Sequence, residues 1–446
     1  MRNPGVPRRL LLGACAAAAL APGHDARGQG AAAVAPTFEA VRADPRIRRL
    51  LEEIRADDAR TFEEQKRITA IPAPPFKEAV RAEYVLGRMR ELGLRDAAID
   101  GEGNVVATRK GTQGKPRLVV SAHLDTVFPE GTDVAVRERD GVFTAPGLGD
   151  DARGLAVLLS LIGVLNRADL QTVGDVLFVG TVGEEELGNL RGVRALHRDH
   201  RDIDGFISID GLDIGRIVNQ GTGSKRYEVV FRGPGGHSFQ EFGRPSAVHA
   251  MGRAIAKIAE VRTPTDPKTT FTVGTVQGGT SVNAIAAEAR LTLDMRSNST
   301  AELLKIEEHI LGLVNEAAVE ENRRWDAGTN ARTVTAEPRL IGDRPAGEVP
   351  ETSPIVQAAR RAIGAIAGNV RITLAGSSTD SNMAMSLGIP AVTLAGGGEG
   401  GNWHSLTEWY KPTEAYLGPQ FILLTLLTLV GVEGVSQPAL PARAPG

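Results

Sequence analysis

Cysteine is nearly absent. The chain of 446 residues holds one, Cys15, close to its N-terminus. The body of the protein therefore has no thiol for a disulfide or a sulfur metal ligand, and any metal site in it must use nitrogen and oxygen. Blocks of lysine or arginine are also missing: 51 basic and 54 acidic residues are scattered along the chain, for a net charge of -3. This excludes a general nucleic-acid binder, which needs a concentrated basic surface. The apolar stretch from Leu10 to Leu20 is too short to anchor stably across a bilayer. No repeat of roughly 20 to 50 residues marks a solenoid or propeller.

What remains is ordinary globular composition, 42% hydrophobic and 24% charged. The length exceeds what one core usually supports, so two domains are expected. At the N-terminus, Arg8-Arg9 precede the apolar stretch, and the small residues Ala19 and Ala21 frame a cleavage site. This order predicts an export signal and linker over residues 1–35, and hence a periplasmic or extracellular protein. Arg8-Arg9 before Leu10-Leu11-Leu12 also fits a loose twin-arginine signal. Leu12-Gly13-Ala14-Cys15 resembles a lipoprotein box, but Cys15 falls inside the apolar run rather than at its end. Folded structure is expected to begin near Thr37.

The remainder alternates strand and helix signals. Helical periodicity covers Arg46 to Ile68 and Glu78 to Leu92, followed by strands near Asn104 to Thr108 and Leu118 to Ser121. Such alternation predicts an α/β fold with a mostly parallel sheet. Near Gly221 the rhythm changes. A strand from Tyr227 to Phe231, a helix from Pro245 to Val261, strands near Thr270 to Val276 and Ala289 to Asp294, and a helix from Thr300 to Glu320 suit a small inserted α+β (ferredoxin-like) domain. The expected division is 36–220 and 341–435 for the larger domain, 221–340 for the insert and 436–446 for a tail. The α/β pattern resumes with a helix from Ser353 to Ile363 and a strand from Ala391 to Leu394.

Four hydrophobic runs in the larger domain end in metal-binding side chains. Leu118 to Val120 lead into His123-Leu124-Asp125; Val176 to Val182 into Glu184-Glu185-Glu186; Phe206 to Ile209 into Asp210; and Val392 to Leu394 through a glycine loop to His404. In an open α/β sheet, ligands gather at the carboxyl ends of strands. A fifth candidate, Asp150, stands before the helical stretch from Ala152 to Leu165. Two histidines with several carboxylates form the ligand set of a two-zinc hydrolase.

Each motif has a plainer reading. His123 and Asp125 alone could be a hydrogen-bonded core pair, and Asp150-Asp151 could cap a helix. Gly147, Gly149 and Ala152 satisfy a dinucleotide-binding spacing, but two aspartates in that turn would repel a pyrophosphate. Adjacent glutamates at a buried strand end are harder to dismiss, because each disfavours the other's ionisation unless a cation is present. One then binds the ion while the other moves a proton.

His123-x-Asp125, Gly149-Asp150-Asp151, Glu184-Glu185, Asp210 and His404-Ser405 together resemble the successive motifs of the dinuclear zinc peptidases that include glutamate carboxypeptidase, peptidase T, the zinc aminoacylases and succinyl-diaminopimelate desuccinylase. The resemblance runs from about Thr37 to Gly434. It implies a zinc-hydrolase catalytic domain with an inserted dimerisation or lid domain, and a homodimer acting on short peptides or N-acyl amino acids. It also implies that His123 and Asp210 bind one Zn2+, Glu185 and His404 the other, and Asp150 both. Asp125 would orient His123, and Glu184 would be the general base. Gly235-Gly236-His237-Ser238 resembles the family turn whose histidine reaches a partner's active site, while Asn283 and Arg296 resemble its substrate-binding positions. Co2+ or Mn2+ also suit such ligands. Gly183 stands where the family usually has Asp, and the third acid, Glu186, leaves a shifted register open, with Glu185 as base and Glu186 as ligand. A carboxypeptidase, or a non-catalytic metal- or peptide-binding relative, are the alternative readings.

Overall fold

The computed structural model describes residues 26–328 and 332–444. Cys15 and the expected export signal lie outside the described residues. Structure begins earlier than Thr37: a helix runs from Ala26 to Ala43 around Pro36, and Val34, Phe38 and Val41 on it are buried in the main core. The residues before Val34 read as linker in the sequence, but they are rich in alanine, the strongest helix former. The helix expected over Arg46 to Ile68 is two, Pro45–Ala56 and Asp58–Thr69, parted at Asp57.

The larger unit is a nine-stranded, mostly parallel sheet. Its centre is built from β1 (Val105–Arg109), β2 (Arg117–His123), β3 (Asp175–Thr181), β4 (Gly205–Ile209) and β5 (Arg216–Gly221), joined later in the chain by a strand at Ala391–Leu394. In space, β3 lies beside β2, β2 beside β4, and β4 beside the Ala391–Leu394 strand, all parallel. All residues of β3 and β4 are buried, the pattern of strands covered on both faces. Because these neighbours run the same way, His123, Glu184, Asp210 and the loop after Leu394 emerge at one edge. Helix α1 (Ala152–Arg167) packs on β2, and a helix at Leu417–Val430, buried all round, fills the core. A helix apolar on every side has no amphipathic stripe to announce it. Among the described residues, no helix is long and apolar enough to cross a membrane.

The insert starts where β5 ends. It comprises β6 (Gly223–Arg232), α2 (Ala247–Ala259), β7 (Thr269–Gly278), β8 (Glu288–Ser297), α3 (Thr300–Arg324) and β9 (Thr335–Arg344). The sheet order is β7-β8-β6-β9, antiparallel throughout. This βαββαβ order is ferredoxin-like. Residues of β8 alternate between buried and half-buried, and its buried face (Leu291, Leu293, Met295) packs under the two helices with Ile310 and Val314. The last strand, β9, runs to Arg344, beyond the expected boundary at 340; its exposed, mixed polar pattern gives little periodic signal.

Candidate metal centre

Sheet geometry brings the candidate ligands together. His123 closes β2, and its Nδ1 stands 3.0 Å from the backbone carbonyl of Asp125. A carbonyl can only accept, so Nδ1 carries the proton and Nε2 presents its lone pair. That lone pair faces Asp150 Oδ1 at 3.0 Å. The other oxygen of Asp150 faces His404 Nε2 at 3.1 Å, and Glu185 Oε1 stands 3.2 Å from the same nitrogen. A ring lone pair facing a carboxylate oxygen requires a proton or a cation between them. The donor atoms of His123, Asp150 and Glu185 all lie within 4.8 Å of one another, close enough for cations to be held among them. The set, two imidazoles with carboxylates and no sulfur, fits divalent cations such as zinc.

The electrostatics carry the same mark. Burial would lower the pKa of His123, but Asp125 and Asp150 outweigh it and hold the imidazole well above its ordinary value. Contacts with Asp150 and Glu185 raise His404 to about 10. Asp210, which follows β4 directly, is pushed up to about 7 by burial and by the charge of Asp150. Burial pushes Glu184 well above the carboxylate range against the pull of Arg344. Asp150 shifts the other way: against burial, its contacts with His123 and His404 hold it well below the usual carboxylate range. One ionised acid thus stands between two imidazoles, while its neighbours Asp210 and Glu184 are driven toward their neutral forms by burial and by the charges of nearby carboxylates.

The motif readings resolve residue by residue. Asp151, rather than Asp150, caps α1: its Oδ1 accepts the Gly154 N–H at 3.0 Å and its Oδ2 the His123 N–H at 3.0 Å. Asp150 is thereby free for the cluster. Asp125 acts on His123 through its backbone carbonyl; its carboxylate is 3.7 Å from Nδ1 and instead accepts the N–H groups of Glu184 and Glu185, at 3.1 and 2.7 Å. The expected carboxylate–imidazole bond is thus replaced by one that fixes the neighbouring strand end, because the turn after β2 points the carbonyl at the ring. Of the three glutamates, Glu185 enters the cluster, Glu184 is buried beside it, and Glu186 is exposed, which favours the unshifted register. Gly183 has φ of +69°, and a Cβ there would meet Arg191 Cγ at 2.6 Å, so the Asp usual in the family has no room.

The insert's residues stand apart. His237 pairs in register with Ala284, and the Ser238 N–H donates to the Asn283 carbonyl at 3.0 Å, so His237 and Asn283 share one tip. His237 Nδ1 accepts from the Phe239 amide at 3.3 Å; no hydrogen bond among the described residues links it to the cluster. Arg296 is tied to Asp294 at 2.7 Å.

The sequence reading does not reach Arg344 or Glu408. Arg344, at the end of β9, donates to Glu184 Oε1 at 3.3 Å and to the Glu184 carbonyl. Glu408 is fully buried and accepts the N–H groups of Gly147, Gly149 and Asp150 at 3.0, 2.7 and 3.2 Å, clasping the Asp150 loop to the loop that carries His404. Burial and the charge of Asp150 raise it to about 7. A carboxylate four residues after His404 is the one local hint of this clasp; Arg344 has none.

A mostly parallel sheet with histidines and acids converging at its carboxyl edge, and a ferredoxin-like insert, define a metal-dependent hydrolase. The chain belongs to peptidase family M20/M25/M40, whose model matches residues 119–428. It is 26% identical over 356 residues to the uncharacterized protein YqjE of Bacillus subtilis (strain 168), covering 77% of this chain and 91% of that one. It is 27% identical over 342 residues to an acetylornithine deacetylase of Myxococcus xanthus, covering 69% and 83%. The crystal structure of aminopeptidase PepT from Bacillus cereus shares the fold, with a TM-score of 0.67 at 23% identity, over 82% of this chain and 97% of that chain.

Proposed function

We propose that the protein cleaves the amide bond of short peptides or N-acyl amino acids with two zinc ions, one held by His123 and Asp210, the other by Glu185 and His404, and both by Asp150. The placement of Asp150, one carboxylate oxygen toward each histidine, carries this reading. Bound there, such cations would acidify a water and polarise the scissile carbonyl. Glu184 accepts the proton from the attacking water and returns it to the leaving nitrogen. Arg344 keeps its carboxylate turned to one side while Asp125 holds the backbone of Glu184 and Glu185 in place. The similar proteins named above include an aminopeptidase and a deacetylase, which supports both peptides and N-acyl amino acids as substrates. The test is turnover of dipeptides, tripeptides and N-acyl amino acids by the purified protein. Hydrolysis that is abolished by a chelator and restored by zinc is expected; no turnover of either class under zinc, cobalt or manganese overturns the reading.

His237 completes the site from a second copy in this proposal. It is exposed, and Phe239, Phe242 and Val282 beside it are 87%, 78% and 104% exposed, an apolar tip that the described residues leave open to solvent. Aimed at a partner's cluster, its imidazole would steady the oxyanion. A mixture of His237→Ala and Glu184→Gln chains, each nearly inactive, should regain activity on subunit exchange, because one site of the heterodimer then has both groups intact. No recovery in a verified heterodimer would show that His237 acts in its own subunit or does not act at all.

A further inference from the structure

A cavity of about 570 Å³ opens beside the cluster. Asp210 forms one wall, and its carboxyl is close enough to Asp150 and Glu185 to feel their charges. Another wall is Trp403, the residue before His404; its ring lies over Gly149, next to Asp150, where an added Cβ would stand 2.6 Å away. The same loops therefore carry the candidate ligands and the cavity walls. Trp409, Leu212 and Val218 extend the lining, and its volume is within the range of sites that take small molecules.

Charge narrows the occupant. Apart from Asp210, which the proposed ion engages, Asp213 and Glu399 border the cavity, and the one cation in its lining, Arg216, already gives one N–H to the Gly376 carbonyl at 3.1 Å. A side-chain carboxylate entering here meets two acids and one partly committed guanidinium. A neutral ring instead meets two indoles and aliphatic side chains, an arrangement that favours aromatic stacking and apolar burial.

We propose that this cavity receives the substrate group flanking the scissile amide, selecting a bulky apolar and above all an aromatic side chain and rejecting an acidic one. The assignment rests on the proposed hydrolysis for its position next to the reacting bond, and it can be tested without turnover. The chain has three tryptophans, of which two line the cavity, so their fluorescence reports occupancy. Zinc-loaded Glu184→Gln protein is titrated with N-acetylphenylalanine, N-acetylglycine and N-acetylaspartate, and with Phe-Gly, Gly-Gly and Asp-Gly. In each series the phenylalanine compound is expected to bind about 10- to 100-fold more tightly than the glycine one, the span that burial of one large apolar side chain provides, with the aspartate compound weakest. Trp409→Leu and, separately, Trp403→Leu should shrink the phenylalanine preference while leaving the affinity for the glycine compound in place, which also shows that the variant is folded. Equal binding of the phenylalanine and glycine compounds by the Glu184→Gln protein overturns the proposal, as does a preference for aspartate. Amide hydrolysis without such selectivity would sink the pocket and spare the proposed reaction; selective binding without turnover of any amide by the unsubstituted chain would do the reverse.

Discussion

Glu184→Gln is expected to cut kcat by about 10²- to 10⁴-fold, the contribution of a positioned general base, while the protein keeps the metal content of the unsubstituted chain. The carboxylate of Glu184 faces Arg344 and takes no place among the facing donor atoms of His123, Asp150, Glu185 and His404. Glutamine preserves its shape and the contact with Arg344 but cannot accept a proton at working pH. KM should change little, because the backbone of Glu184 and Glu185 is held by Asp125, which the substitution does not touch. Parallel metal analysis and steady-state kinetics check this. Loss of a metal equivalent in this variant would make Glu184 itself a ligand, and turnover left intact would favour the shifted register, with Glu185 as base and Glu186 as ligand.

Asp150→Asn should have the larger effect on the metals themselves, with both ions weakened together and activity falling below detection. One oxygen of Asp150 faces each histidine. An amide leaves a single oxygen for two positions and turns an NH2 donor toward the other, where a cation would sit. The bridging charge that opposes two divalent ions is lost at the same time. Asp151→Asn is the control, because Asp151 caps α1 and takes the His123 N–H but does not face the histidine rings. Asparagine can still cap the helix but has one oxygen for the two N–H groups that Asp151 accepts. The change should therefore appear chiefly as a lowered melting temperature, of the size that follows from about 1–3 kcal/mol for one buried N–H left unsatisfied. Metal stoichiometry by elemental analysis, with thermal melts of both variants, separates the two roles. Two tightly held metals in Asp150→Asn would show that this residue does not bridge.

The ease with which the cluster is read from the chain has a physical cause. A parallel strand buried on both faces is a continuous apolar run, so the ends of β2, β3 and β4 are visible as the points where polarity returns, and His123, Glu184 and Asp210 stand at or just past those points. The insert is legible for a different reason: β8 alternates with period two and its two helices carry apolar stripes. Residues with neither signal escape. The Leu417–Val430 helix is apolar on all sides, and β9 is largely exposed, so neither has a periodicity that separates it from its surroundings.

The sequence by itself determined the fold class, the ligand types and their order, because alternation of strand and helix fixes which ends of the strands meet, and the absence of thiols in the body leaves only imidazole and carboxylate to bind metal. Only the tertiary structure decided what each acid does. Asp150 and Asp151 are adjacent and chemically identical, and one faces two imidazoles while the other caps a helix. Arg344 reaches Glu184 across 160 positions, and Glu408 reaches the Asp150 amide across 258. Such contacts leave no local pattern: they depend on where the packed core places distant loops, and a side chain's role at this edge is set by the neighbour that the fold turns toward it.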